Sequence, residues 1–270
     1  MSALFFTIIY WNVSPEIISS PIAIRWYSLM FGLSFFLSYY IFHFIFKKEG
    51  KNLDDLDDLL MYMFIATIVG ARLGHCIFYD FEYYFIQHPE EIFKIWEGGL
   101  ASHGALFGIV LAVYIFSKRK KGYSFLWLLD RIAWVSALAT TFIRIGNFFN
   151  SEIVGIPTDG SWGVVFMQNG EDFPRIPIML FESFCYFTVF ISYSIIYLKT
   201  NGQFREGLFS AMFFTLMLLY RFICEFWKAD YGEKIWLGLN NGQLLSIPIF
   251  FAGIALFVYI YFIKKPPVKS

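Results

Sequence analysis

The chain runs to 270 residues, of which 58% are apolar, 22% aromatic and 16% charged, with 21 basic residues balanced by 21 acidic ones. Soluble domains carry about 45–50% apolar and about 25% charged residues, and roughly half of any folded surface still meets water, so a soluble fold has no way to hide this much apolar surface. The same arithmetic excludes disorder, a collagen-like fibre and a disulfide-stapled scaffold, and without a basic surplus nucleic acid is excluded as a partner; a polytopic membrane protein remains.

Residues 1–20 carry no Lys or Arg and precede no A-x-A site, so they do not read as a cleavable signal peptide. They are expected to lie along the membrane surface, held by Tyr10 and Trp11. A spanning helix needs about 20 mainly apolar residues. Seven segments qualify: 22–46, 58–79, 100–117, 125–147, 176–198, 207–227 and 243–263. The third is short and starts near the Gly98-Gly99 pair. The expected fold class is therefore an all-α polytopic membrane protein with seven transmembrane helices in a single integral membrane domain, residues 1–270. Residues 80–99 and 148–175 form its small extracytoplasmic loop region. No internal repeat is visible, which disfavours a transporter built from duplicated halves. Cys76, Cys185 and Cys224 all fall inside apolar runs and read as small core residues, not as metal ligands.

Basic residues set the orientation. One alternating set of loops holds twelve of them: Lys47, Lys48, Lys51, Lys118, Arg119, Lys120, Lys121, Lys199, Arg205, Lys264, Lys265 and Lys269. The opposite set holds four, namely Lys94, Arg175, Lys228 and Lys234. This places the N-terminus outside and the C-terminus in the cytoplasm, with both long loops outside.

Charged groups within spans are costly and mark candidate sites. Arg25 and Tyr27 open the first span; Arg72 and His75 lie late in the second, and His103 early in the third. Arg144 and Asn147 are late in the fourth span, Arg221 and Glu225 late in the sixth. Four arginines from four spans thus share the outer third of the bilayer, while Arg131, beside Asp130, reads as a cytoplasmic helix-end anchor. For Arg25 and Arg72, snorkelling or a buried ion pair explains the charge as well as a site does. Arg144 with Asn147 and Arg221 with Glu225 share helix faces. Such a cluster suits an anionic phospholipid headgroup, which guanidinium groups grip bidentately. Glu225 either holds Arg221 extended or forms a plain intrahelical salt bridge with it. For His103, in Gly98-Gly99-Leu100-Ala101-Ser102-His103-Gly104-Ala105, a satisfied core histidine and a proton-transfer group both stand. No G-x-S-x-G or H-E-x-x-H occurs, no Lys lies in a span, and His75 with His103 is weak support for a haem.

The stretch Arg144-Ile145-Gly146-Asn147-Phe148-Phe149-Asn150-Ser151-Glu152-Ile153-Val154-Gly155 resembles the signature R-x-G-N-F-x-N-x-E-x-x-G of the prolipoprotein diacylglyceryl transferases. Ile24 to Tyr27, Gly70 to Gly74, Gly98 to Ala105, Arg221 to Phe226 and Gly242 to Pro248 are similar to other segments of that family, in the same order. The resemblance implies transfer of the diacylglyceryl group of phosphatidylglycerol to the lipobox cysteine thiol of prolipoprotein signal peptides, at the outer leaflet of the bacterial cytoplasmic membrane. Glycerol phosphate leaves, and no cofactor or metal is needed. It further implies that Arg144 and Arg221 hold the phosphate, that Asn147 and Glu152 order the rim, and that Gly155 shapes the turn. Tyr27 and Glu225 would orient substrate or the arginines, and His103 is the candidate base. One segment departs: where the family reads close to R-H-P-x-Q-L-Y-E, this chain has Arg175-Ile176-Pro177-Ile178-Met179-Leu180-Phe181-Glu182. That departure motivates an alternative, a seven-helix paralogue that binds or senses anionic phospholipid without the chemistry.

Overall fold

The computed structural model describes residues 7–19, 24–95, 99, 101–229 and 237–263. Its helices are α1 (Trp26–Lys48), α2 (Leu53–Phe78), α3 (Ser102–Arg119), α4 (Phe125–Phe149), α5 (Ile178–Thr200), α6 (Leu208–Cys224) and α7 (Asn241–Val258). Among the described residues, six helical stretches are long and apolar enough to cross a membrane: α1, α2, α4, α5, α6 with the turn after it (Leu208–Trp227) and α7 with its last turn (Gly242–Ile263). The exception is α3, whose 18 residues open on Ser102-His103 and close on Lys118-Arg119. Large apolar side chains face outward along the helices, including Phe36, Phe64, Phe107 and Phe251. That inverted pattern suits a surface covered by lipid rather than water.

Local chemistry sets the helix ends. The side chain of Asn52 accepts the Asp54 amide hydrogen at 3.1 Å, so α2 starts at Leu53, with Asp54 and Asp55 in its first turn. This is earlier than the apolar pattern predicts, because acidic residues are favourable at a helix N-terminus. Asn240 and Gln243 form a reciprocal capping box at the start of α7. Asn201 adopts the left-handed conformation that ends α5, at φ 52°.

The chain is not wholly helical. Ile8–Trp11 (β1) and Gly163–Phe166 pair in parallel, and Glu16–Ile18 (β2) pairs antiparallel with Ile24–Arg25 (β3), which makes Gly163–Phe166 β4 in chain order. Of the two residues expected to hold the N-terminal segment at the membrane surface, Trp11 packs its ring 4.4 Å from that of Phe148, while Tyr10 stays exposed. The 80–99 loop carries two short helical turns, Tyr83–Gln87 and Pro89–Phe93.

Two compact units are distinguished, Met1–Ile41 with Asp130–Ser270, and Phe42–Leu129. In the first, α5 and α6 share a stacked pair, Tyr193 and Phe209, whose centroids are 4.4 Å apart, and the Tyr193 hydroxyl donates to the Phe209 carbonyl at 2.9 Å. Asp130 is fully buried and accepts the Gly207 and Ser210 amide hydrogens at 2.6 and 2.9 Å. It therefore caps the N-terminus of α6 from α4, a role not apparent in the sequence, where only the neighbouring Arg131 reads as a helix-end anchor. In the second unit, α2 and α3 touch backbone to backbone. A Cβ added to Gly104 would sit 2.1 Å from the Gly70 carbonyl oxygen, and one on Gly108 would sit 2.3 Å from that of Ala66. Glycines at these positions let two apolar helices pack where no hydrophobic force separates them from lipid.

Candidate active site

The signature segment closes α4 and turns back on itself. Gly146 brings α4 against α1: a Cβ there would meet the Tyr27 Cα at 3.1 Å. Arg144 Nη1 donates to Asn147 Oδ1 at 3.0 Å, and Asn147 Nδ2 donates to Glu152 Oε2 at 3.1 Å. Asn150 Nδ2 holds the other Glu152 oxygen at 3.0 Å. Glu152 reaches back because Ser151 and Ile153 both take positive φ, 54° and 55°. That conformation is costly for a non-glycine residue and especially for a β-branched one. Tyr27 lies within electrostatic reach of Glu152 and Arg144.

The chain of polar contacts continues across three further elements. Arg144 Nε meets Glu182 Oε2 on α5 at 2.7 Å, and Glu182 Oε1 meets Lys228 Nζ at 3.0 Å. Lys228 in turn reaches Glu225 Oε2 at 2.8 Å, and Asn240, the cap of α7, donates to Glu225 Oε1 at 3.1 Å. Glu182 is fully buried, and each of its oxygens faces a cation, which offsets the cost of burying charge in a low-dielectric setting. The expected Arg221–Glu225 pair is not formed. Glu225 opens a 3₁₀ turn, Glu225–Trp227, in which residues three apart eclipse, so its carboxylate faces Lys228 and not Arg221. Arg221, half-buried in the last turn of α6, has no hydrogen bond or ion pair among the described residues. Buried Tyr186 lies within electrostatic reach of Arg221, Arg144 and Glu182.

Gly155 does not shape a turn. It runs extended between two chain segments, donating to the Ile176 carbonyl at 2.9 Å, with its own carbonyl accepting from Arg175 Nη1 at 3.2 Å. A Cβ there would lie 2.5 Å from the Ile176 oxygen and 2.9 Å from that of Trp227, which is why glycine is required. This clamp ties the segment before α5 to the one after α6, and so sets Glu182 and Lys228 at their mutual distance.

Of the other membrane arginines, Arg25 is exposed and lies 3.5 Å from Glu16 across β2 and β3. Arg72 is buried, and its donors go to backbone carbonyls: Nε to Ile92 at 2.9 Å, Nη1 to Gly99 at 3.3 Å and Nη2 to Glu91. It fixes the 80–99 loop instead of offering donors to a ligand. His103 is the second residue of α3, and its side chain lies outside the described residues. Sequence reasoning missed Glu182, Lys228 and Asn240 as members of the cluster. Lys228 counted only as a loop cation, and Glu182 only as a survivor of the altered segment.

The chemistry on offer is anion binding. Arg144 uses Nε and Nη1 internally, and among the described residues its Nη2 has no partner; Arg221 keeps its whole fork. Two forks with open donors, set beside buried aromatic and apolar groups, are suited to a phosphate diester. The family model described as prolipoprotein diacylglyceryl transferase matches residues 15–259 of this chain. The chain is 44% identical over 252 residues to a phosphatidylglycerol–prolipoprotein diacylglyceryl transferase of Chloroherpeton thalassium, covering 92% of either protein. It is 43% identical to a protein of the same name from Tolumonas auensis, covering 92% of this chain and 96% of that one. A third, from Porphyromonas gingivalis, is 39% identical over 273 residues.

Proposed function

Because the chain belongs to the prolipoprotein diacylglyceryl transferase family, we propose that it moves the diacylglyceryl group of phosphatidylglycerol onto the lipobox cysteine thiol of a prolipoprotein, the first step of bacterial lipoprotein maturation. The thiolate sulfur attacks the glycerol carbon that bears the phosphate ester. A C–S bond forms, the C–O bond breaks, and glycerol phosphate leaves with the electron pair. Negative charge grows on the departing phosphate; Arg144, held by Glu182 and Asn147, supplies a fixed positive donor for it, and Arg221 adds a second guanidinium that closes on the ligand. The observation that carries this reading is the contrast between them: Arg144 is locked by Glu182 and Asn147, whereas Arg221 has no hydrogen bond or ion pair among the described residues and keeps its donors for the ligand.

The thiol, with a reference pKa of about 8.5, must also lose its proton. We assign His103 as the acceptor, with Asn147, Glu152 and Gly155 holding the rim, and Tyr27 and Glu225 orienting the substrate side. In this reading α3 is the seventh span; its 18 residues rise about 27 Å, close to the hydrocarbon core of about 30 Å. The N-terminus lies outside and the C-terminus in the cytoplasm of a single multi-pass domain of the inner membrane, and the cluster opens to the outer leaflet.

The sensing alternative rested on the altered segment. Its replaced positions do not belong to the polar cluster: Met179 is fully buried among Phe148, Val154, Val164 and Phe166, and Phe181 is exposed. The charge-bearing Glu182 is retained. The test is to incubate purified protein with phosphatidylglycerol vesicles and a lipobox peptide and to weigh the peptide. A diacylglyceryl mass gain is expected; bound lipid with no gain would favour the sensor.

A further inference from the structure

The inner face of α5 carries more than Glu182. Tyr186 follows it by four residues and so stands one turn further along the same face, only 4% exposed, while Phe181, Phe184 and Phe187 point outward. Charged and thiol groups from three helices surround it. Glu182 on α5, Arg144 on α4, and Arg221 and Cys224 on α6 all lie within electrostatic reach of its hydroxyl. Two of these are guanidinium groups with open donors among the described residues, Nη2 of Arg144 and the fork of Arg221.

A buried phenol normally finds a hydrogen-bond partner, and other buried tyrosines of the chain do. Tyr193, seven residues on along the same face, donates to the Phe209 carbonyl at 2.9 Å, and Tyr123 donates to Asp55 at 3.1 Å. Ser183, beside Glu182, is also paired, donating to the Thr141 carbonyl at 3.1 Å. Among the described residues the Tyr186 hydroxyl makes no such bond. Glu182 does not accept it; its oxygens face Arg144 Nε at 2.7 Å and Lys228 Nζ at 3.0 Å. A buried donor without an acceptor is destabilising, and the acceptor it lacks is what an anion held by the two guanidinium groups supplies.

We propose that the Tyr186 hydroxyl is a further substrate-binding group of the site, donating a hydrogen bond to a non-bridging oxygen of the phosphate that Arg144 and Arg221 hold. The inference rests on the phosphate-holding role given above to the two arginines. The proton stays on the phenol throughout, and no bond to it is made or broken. A phenol adds a donor without adding charge, so Tyr186 directs the phosphate between the forks and leaves the charge balance of the cluster unchanged. Its bond strengthens as negative charge grows on the departing group.

The test is Tyr186→Phe in the full-length protein, which removes one oxygen and keeps the ring. Transfer is read by the lipobox-peptide mass assay. Binding is read by native mass spectrometry with dioleoyl phosphatidylglycerol and, separately, with dioleoylglycerol, which lacks the phosphate. The hydroxyl has no partner to lose among the described residues, so the melt should be unchanged or slightly higher. Phosphatidylglycerol binding should weaken about 10-fold and kcat/KM fall about 10–100-fold, the range for a hydrogen bond to a charged group, with dioleoylglycerol binding unchanged. Unchanged phosphatidylglycerol binding and turnover would overturn the proposal. So would an equal loss of both lipids, or a lower melt, either of which would make the hydroxyl a structural group. Binding is measured apart from turnover, so a parent protein that binds phosphatidylglycerol without transferring it would fail the transferase reading and still decide this one.

Discussion

Glu182→Gln is the sharpest probe of the cluster, because it keeps the side-chain shape and removes only the charge. Glu182 is fully buried, while the Arg144 and Lys228 side chains are 13% and 7% exposed, so solvent screens these pairs little. Removing one member of a buried pair costs about 3–5 kcal/mol, since the orphaned charge stays buried. Lys228 keeps Glu225 at 2.8 Å, so the penalty falls chiefly on Arg144 and sits near the lower bound, about 3 kcal/mol. In a detergent melt that corresponds to a drop of about 6–12 °C. Turnover in the peptide mass assay should fall about 10²-fold, because a guanidinium held only by Asn147 swings by an ångström or so. The double variant Glu182→Gln with Lys228→Gln removes one charge of each sign. Its stability should not recover, because Glu225 then loses its cation while Arg144 Nε still lacks its anion, and turnover should stay low. Wild-type turnover in Glu182→Gln, or turnover restored in the double variant, would refute a positioning role and leave net charge as the whole effect.

Arg221→Ala should lower transfer by at least about 10²-fold with a melt close to that of the parent protein, because no ion pair is lost among the described residues. Gly155→Ala should lower both melting temperature and turnover, its Cβ arriving 2.5 Å from the Ile176 oxygen; an unchanged melt would show that the clamp yields freely. Asp130→Asn should destabilise by about 1–3 kcal/mol through loss of the charged cap on α6, with specific activity of the folded fraction retained. His103→Gln should reduce turnover by about 10²–10⁴-fold, and a rate above about a tenth of normal would remove His103 as sole base.

The seven helices were legible because each is an apolar run bounded by charges or turn residues, and the observed helix ends lie within about five residues of those boundaries. α2 began early because its acids form a capped first turn that an apolar count treats as loop. β1 was invisible for a different reason: its partner β4 is far along the chain, and four residues carry too little alternation to announce a strand. In the site, Arg144, Asn147 and Glu152 were readable because their contacts are local. The pairing of Arg221 with Glu225 was assumed from α-helical spacing and failed where the helix tightened into a 3₁₀ turn.

The altered segment 175–182 shows most directly how far residue identity falls short of placement. Read as a string, it loses a histidine, an amide and a phenol hydroxyl, which suggests a weakened site. In the fold, Ile176 contributes its backbone: its carbonyl accepts the Gly155 amide hydrogen, and its amide donates to the Ile156 carbonyl at 3.1 Å. Any side chain there leaves that clamp intact. Met179 fills an apolar cluster in which an amide would need new partners, so its apolar character is consistent with its surroundings. Glu182 alone of the segment reaches the charges, bridging Arg144 and Lys228. The polar groups that differ from the family pattern thus stand outside the contact chain. The group that holds Arg144 in position is the one that is kept.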